Sequence, residues 1–167
     1  MDRLFVSPVK PYEISVGYTL AFTFIAAVQA VELILIATLG FNITFEGSVL
    51  LALFLIILYA IGMQGLGILF STAAKSEFQA VQFVPLVILP SIILAGVFWP
   101  IEAMPLLIRP LSLFIPLTYL NNALRSVMIR GWGLAEIWTD ILALLIFAVV
   151  MFLISVNVMH RRAYRKS

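Results

Sequence analysis

Four long apolar runs dominate this sequence and restrict the folds open to it more than any other feature. They cover about residues 14–39, 49–70, 80–99 and 141–159. A helix needs about 20 consecutive apolar residues to cross the hydrocarbon core of a bilayer, and each run has about that length. Only 11% of the chain is charged, whereas soluble domains carry about 25% charged residues. The sequence therefore predicts an all-α, polytopic membrane protein whose transmembrane domain, residues 14–159, holds four transmembrane helices.

Prolines interrupt the chain between the third and fourth runs. The stretch of about residues 100–135 contains several, Pro105 and Pro116 among them. Because proline removes a backbone donor and breaks helices, no piece of this stretch is long enough to cross. We expect short re-entrant or interfacial helices there, on one membrane face. Pro85 and Pro90 lie within the third run, where they predict a kinked or broken helix.

The positive charges indicate how the chain is oriented. The lead-in segment, residues 1–13, and a basic tail, residues 160–167, flank the transmembrane domain. If both termini are cytoplasmic, 7 of the 10 Lys and Arg residues lie inside, and only Arg109, Arg125 and Arg130 lie outside. Cytoplasmic loops typically carry such an excess of Lys and Arg. We therefore expect a multi-pass protein of the plasma membrane with both termini cytoplasmic.

Several classes of function lack their residues here. The chain has no Cys and one His, which excludes disulfide scaffolds, thiolate metal sites and His clusters. It has no GxSxG or HExxH motif and no GxxxxGK[ST] phosphate-binding loop. The net charge of +2 does not indicate nucleic-acid binding, because the cations lie at the ends of apolar runs. We expect no enzyme activity, no metal or cofactor bound by this chain and no nucleic-acid partner.

The first apolar run contains one acid, Glu32, with Gln29 one turn before it. A charge at the centre of a bilayer costs about 2.5 to 3.5 kcal/mol on insertion scales, so we expect Glu32 to face protein or water. Three roles remain open: an interhelical hydrogen bond, a position along a substrate path, or proton coupling. Gln64 in the second run is a possible hydrogen-bonding partner.

Residues 116–130 have the pattern of an amphipathic helix that is too polar to cross the membrane. Apolar residues recur at helical spacing on one side, and polar residues, Asn122 and Ser126 among them, recur four apart on another. The helix either lies in the outer interface or forms a re-entrant plug whose polar face, with Arg125, lines the exit of a path.

The lead-in segment is polar but carries Leu4, Phe5, Val6 and Val9. Two interpretations remain open. It is either a solvated approach to the first helix or a docking element that presents apolar side chains to a cytoplasmic partner.

Three blocks of sequence resemble one known family, the permeases of type-2 ATP-binding-cassette (ABC) exporters. Residues 96–105, GVFWPIEAMP, are similar to the end of that family's fifth span. Residues 116–119, PLTY, followed by ALR at 123–125 and by Gly131, are similar to its next block. Residues 3–10, RLFVSPVK, resemble the cytoplasmic segment between its second and third spans. The chain thus resembles the third to sixth of six spans.

The resemblance implies roles for particular residues. The segment that docks on the ATPase subunit would be Arg3, Leu4, Phe5, Val6, Ser7, Pro8, Val9 and Lys10. A re-entrant extracellular gate would comprise Phe98, Pro100, Glu102, Met104, Pro105, Pro116, Thr118, Tyr119 and Arg125. ATP and Mg²⁺ would bind to the partner ATPase subunit. A second permease copy or homologue and the lipid bilayer complete the expected partners.

Three functions follow as hypotheses. The first is the carboxy-terminal part of an ABC exporter permease, without two amino-terminal spans, that moves a drug, lipid or polysaccharide with ATP hydrolysed on a separate subunit. The alternative is an autonomous four-span carrier that couples to protons through Glu32. The third is a membrane scaffold or accessory subunit without transport activity.

Overall fold

The chain folds into five α-helices, which a computed structural model describes over residues 11–165. The helices are α1 (Pro11–Leu35), α2 (Val49–Ala73), α3 (Glu77–Leu94), α4 (Pro116–Arg130) and α5 (Trp138–Arg165). One π-helical turn (Ile36–Gly40) extends α1, and two 3₁₀ helices (Ile101–Ala103 and Arg109–Phe114) lie between α3 and α4. The range 11–165 contains no strand.

Four segments of this fold are long and apolar enough to cross a membrane: Val16–Gly40, Val49–Ala73, Glu77–Leu94 and Trp138–Val158. The remaining helix, α4, has 15 residues, which is fewer than the roughly 17 to 25 that a crossing needs. The predicted fold, four transmembrane helices with short helices before the last one, is therefore confirmed.

The third span, α3, is not broken at its prolines and ends earlier than predicted. It runs continuously through Pro85 and Pro90, so the broken form of the predicted kinked or broken helix is absent. Membrane helices tolerate proline where neighbouring groups satisfy the freed backbone. The helix also ends at Leu94 rather than near Trp99. The reason is Gly96, whose φ of 73° is in the left-handed region that terminates helices.

The core forms where α4 packs against α2 and α5. It consists of Leu55, Leu58, Leu120, Ala123, Val127, Ile137, Leu144 and Ala148. Further from α4, two glycines bring α2 and α5 together. A Cβ atom added at Gly62 would lie 2.4 Å from the ring of Phe147, and one added at Gly65 would lie 2.8 Å from the backbone of Met151. Small residues of this kind let helix backbones approach closely in lipid, so α2 and α5 form the tightly packed pair of the bundle.

α1 and α3 lie at the periphery. Ala30 is the only buried residue among the described side chains of α1, and α3 buries none. Their outward faces carry large apolar side chains, such as Phe24 and Val81, that are exposed by 71% and 67%. Two of the four spans therefore present most of their surface to lipid or to other protein.

α4 begins within the depth of the bundle and rises towards one end of it. Its first turn, with Pro116 and Tyr119, lines a cleft with Phe147 of α5, roughly 14 Å along α5 from its start. Its last turn contacts the loop between α1 and α2, where the N–H of Glu46 donates to the carbonyl of Met128 at 3.0 Å. α4 therefore runs from the middle of the bundle to one of its ends. We call the end that holds this loop the α4 end, and the end where α1 begins the terminal end.

Candidate functional site

A groove of about 750 Å³ lies between α1, α2 and α3, with the start of α4 at its edge. Its lining is mostly apolar and includes Phe22, Ile25, Ile56, Met63, Ile88 and Leu117. Its polar side chains are Gln29, Tyr59, Gln64 and Ser91. Ligand sites typically occupy about 300 to 1,000 Å³ and combine an apolar lining with a few polar groups. The groove is therefore the candidate functional site of the described residues.

Gln64 of α2 is hydrogen-bonded to the backbone of α1 at the edge of this groove. Its Nε2 donates to the carbonyl of Thr19 at 3.1 Å, and its Oε1 accepts from the N–H of Thr23 at 3.0 Å. These partners fix the orientation of the amide, because a carbonyl only accepts and a backbone N–H only donates. The sequence predicts that Gln64 lies along a substrate path or makes an interhelical hydrogen bond. In the structure Gln64 lines the groove and is also hydrogen-bonded to a neighbouring helix.

The structure separates Gln29 from Glu32. Gln29 lines the groove, whereas Glu32 is exposed on the outer face of α1, outside the groove lining. Gln64 binds α1 near Thr23, nine residues or roughly 14 Å along the helix from Glu32, so the pairing of Gln64 with Glu32 that the sequence raised does not form. Among the described residues no side chain donates a hydrogen bond to Glu32. The protein contact expected for Glu32 therefore does not come from this part of the chain.

The buried acid of the described residues is Asp140, in the first turn of α5. It is 7% exposed, and its Oδ2 accepts a hydrogen bond from Nδ2 of Asn122 on α4 at 3.0 Å. Sequence reasoning missed Asp140 because it stands at the start of the last apolar run, where an acid is usually solvated. The available signal was Asn122, an amide on a helix predicted either to lie in the outer interface or to enter the membrane, because a buried amide needs a hydrogen-bonding partner.

Two further α4 side chains bind the turn that ends α3. Nδ2 of Asn121 donates to the carbonyls of Ala95 and Gly96, both at 3.1 Å. The guanidinium of Arg125, which the sequence predicted to line an exit, donates to the carbonyl of Val97 at 3.2 Å. Together with the Asn122–Asp140 bond, these contacts tie α4 to α5 and to the turn that ends α3.

The other predicted gate residues lie between the end of α3 and the first turn of α4. Met104 and Thr118 are buried, and Oγ1 of Thr118 donates to the carbonyl of Ser112 at 2.7 Å. The hydroxyl of Tyr119 donates to the carbonyl of Leu113 at 2.8 Å. Exposed positions are taken by Phe98, Pro100, Glu102 and Pro105, while Pro116 is the first residue of α4. Thr118 and Tyr119 thus fold the preceding 3₁₀ helix back onto α4.

The predicted docking segment, Arg3 to Lys10, lies outside the described residues.

Comparison with known proteins finds relatives that are ABC transporter proteins or transport permeases. The ABC transporter G family member 20 of Dictyostelium discoideum is 30% identical over 164 residues, 97% of this chain and 22% of the relative. The probable multidrug ABC transporter permease YbhR of Escherichia coli K12 is 27% identical over 146 residues, 87% of this chain and 40% of the relative. The inner membrane transport permease YhhJ of the same strain is 27% identical over 156 residues, 93% and 42%.

The chain spans about two-fifths of these bacterial permeases and about a fifth of the Dictyostelium protein. No solved structure matches it at a significant level. A family model described as ABC-2 family transporter protein matches residues 1–157. That range includes three complete spans, the fourth span except for its last residue, the groove and α4. The chain therefore belongs to the ABC-2 family of transporter proteins.

Proposed function

We propose that this chain forms four spans of a permease in an ABC exporter, which moves an apolar or amphipathic molecule across the plasma membrane with ATP hydrolysed on a separate subunit. The groove between α1, α2 and α3 carries the proposal. Its largely apolar lining favours a drug-like or lipid-like substrate over a polysaccharide, whose hydroxyls would lose their hydrogen bonds to water. The relative YbhR is described as a probable multidrug ABC transporter permease, which supports the same class.

The proposed orientation places the α4 end outside the cell and both termini in the cytoplasm. Its support is the excess of Lys and Arg at the terminal end, including Lys75 in the short loop between α2 and α3. α4 then closes the extracellular side of the groove, where a substrate would leave.

The proposed energy source is an ABC ATP-binding subunit that holds ATP and Mg²⁺ and docks on residues 3–10. The apolar side chains that this polar segment carries, such as Phe5 and Val6, suit such an interface, because a few fully desolvated anchor residues supply most of the binding energy at interfaces. We expect Val6→Asp and Pro8→Asp to abolish co-purification with the ATP-binding subunit without impairing membrane insertion. Lys166→Asp in the basic tail is the matched charge control. Normal co-purification of Val6→Asp and Pro8→Asp would contradict the docking role.

The proposed second partner is another copy of the permease or a homologue. Glu32 on the outer face of α1 would be costly against lipid, and an adjoining protein surface removes that cost. This position disfavours the alternative of a proton-coupled carrier, because Glu32 lies outside the groove lining. Transport that survives Glu32→Gln and does not respond to a pH gradient would exclude that alternative.

Uptake of a lipophilic fluorescent dye into inside-out vesicles, with and without ATP, tests the transport proposal. We expect Ser91→Phe, which fills the groove, to lower ATP-dependent uptake severalfold. Leu145→Phe on the outer surface of α5, where the residue is 45% exposed, places the same aromatic ring outside the groove and is expected to leave uptake unchanged. Equal uptake in the two variants would contradict transport through the groove.

A further inference from the structure

A second cavity continues the seam between α1 and α2 beyond the groove. It has a volume of about 390 Å³ and lies nearer the terminal end, where Gly67, Ser71 and Thr72 of α2 face Tyr18 of α1. We call it the lower chamber and the groove the upper chamber. Ser71 in the lower chamber follows Ile56 in the upper chamber by 15 residues, which is roughly 22 Å along α2. The two chambers therefore follow one seam across most of the thickness of a hydrocarbon core, which is roughly 30 Å.

Phe22 and Gln64 are the residues common to the linings of both chambers. Phe22 supplies bulk, and its ring stacks on that of Tyr18 one turn away at 6.1 Å between centroids. Gln64 reaches across the seam from α2 to the backbone of α1. The partition between the chambers thus consists of one aromatic ring and one side-chain amide.

The hydrogen bonds of Gln64 can break at a low cost in free energy. Its two partners, the Thr19 carbonyl and the Thr23 N–H, are four residues apart and are also each other's partners in the ladder of α1. When the amide withdraws, neither backbone group is left unsatisfied. The buried Oγ1 of Thr23 has no partner in the described structure, which offers the amide another contact at the same place.

Packing differs between the two faces of α2. On the face towards α5, Gly62 and Gly65 lie in close contact with Phe147 and Met151. On the lower-chamber face, a Cβ atom added at Gly67 would have no atom within 4 Å. The α2–α5 pair is therefore closely packed at these glycines, whereas Gly67 faces open space next to the contact that Gln64 makes with α1.

We propose that Gln64, with Phe22, is the gate between a lower entry chamber and the upper groove, and that withdrawal of the Gln64 amide from α1 opens it to an amphipathic molecule. The hydroxyls of Ser71 and Tyr18 suit the polar part of such a molecule, and the apolar upper groove suits its apolar part. The proposal rests on the proposed function for the identity of the passing molecule, but the gate itself is testable without transport.

The test uses the absence of native cysteine. Ser71→Cys reports on the lower chamber and Ser91→Cys on the upper groove, each in otherwise unchanged full-length chain in membrane vesicles. A membrane-impermeant thiol reagent is applied from the terminal side. We expect Ser71→Cys to react readily and Ser91→Cys to react slowly.

Substituting Gln64 in the Ser91→Cys variant tests the gate. Gln64→Ala is expected to raise the reaction rate of Ser91→Cys about tenfold, the change in open population that loss of two ordinary interhelical hydrogen bonds produces. Gln64→Met removes the bonds but keeps the bulk, and we expect a smaller rise. If Gln64→Ala does not insert into the membrane, the reaction rate of Ser91→Cys in the Gln64→Met variant still tests the gate.

Gly67→Leu fills the lower chamber while residue 64 is left as glutamine, and it is expected to slow both reporters. The same slowing is expected when it is combined with Gln64→Ala. A Ser91→Cys rate that is already high in the wild-type background, or that neither Gln64 variant changes, would overturn the gate. Because neither ATP nor substrate is present, the labelling outcome is independent of whether the ATP-binding subunit docks on residues 3–10.

Discussion

Single glycines decide which helices of this bundle touch. Gly62 and Gly65 lie where any added carbon meets α5, whereas Gly67, on the same helix, faces open space. All three residues are glycines within one apolar helix, so the sequence does not distinguish them. Only the direction in which each points separates a packing residue from a cavity residue.

Gly65→Ala is expected to destabilise the protein by about 1 to 3 kcal/mol, the usual cost of overpacking. The reason is that the new methyl group meets the backbone of Met151, which cannot move aside as a side-chain tip does. Thermal unfolding in detergent measures the effect. Gly67→Ala is the matched control and is expected to be neutral or slightly stabilising. Equal melting temperatures for the two variants would show that α2 and α5 do not pack as described.

The bond from Asn122 to Asp140 supports a second residue-scale prediction. Asn122→Ala leaves a buried carboxyl group without its donor, and we expect a loss of about 1 to 3 kcal/mol in the free energy of unfolding. Asp140→Leu removes the carboxyl group, so the double variant is expected to be more stable than the sum of the two single effects implies. Strict additivity in this double-mutant cycle would mean that the two side chains do not interact.

Acids show the limits of sequence reasoning at this scale. Hydropathy singled out Glu32 because it interrupts an apolar run, and passed over Asp140 because it stands at the start of one. In the structure Glu32 is exposed and Asp140 is buried. The sequence shows how far along a span each acid lies, but it does not show which side of the helix another element covers.

At the scale of elements, the spans follow from hydropathy because each crossing helix must satisfy its own backbone hydrogen bonds. The amphipathic pattern of residues 116–130 likewise predicted α4 as a helix that does not cross. The end of α3 did not follow, since the apolar run continues to Trp99 while Gly96 and the side chain of Asn121 stop the helix earlier. The groove could not be predicted either, because it arises from how α1, α2 and α3 are placed.

The prediction at the scale of elements concerns Asn121, because its side chain joins the turn that ends α3 to α4. Asn121→Ala is expected to speed hydrogen exchange of the amides in residues 94–97 about fivefold to tenfold, since local opening loses its two side-chain contacts. Hydrogen exchange measured by mass spectrometry in detergent resolves this turn. Asn122→Ala, which acts on the α5 side, is the neighbouring control. Unchanged exchange in Asn121→Ala would contradict a coupling between α3 and α4 through this residue.

At the scale of the whole molecule, four crossings place both ends of the chain on one side of the membrane. Leu107→Cys at the α4 end, where the side chain is 92% exposed, is expected to react with an impermeant thiol reagent from outside intact cells. Ser76→Cys between α2 and α3 is expected to react only after the cells are opened. The native chain without cysteine gives the background. Labelling of both positions from one side would contradict the four-span topology.

The tight contact between α2 and α5 also sets an order of assembly during synthesis. Phe147 follows Gly62 by about 85 residues, so at a translation rate of about 5 to 20 residues per second the ribosome needs roughly 4 to 17 s to supply the partner. During that interval the glycine face of α2 is open to lipid or to chaperoning helices. The bundle therefore reaches its final packing only when its last span arrives, and a chain cut short before α5 lacks the surface that fixes the rest in place.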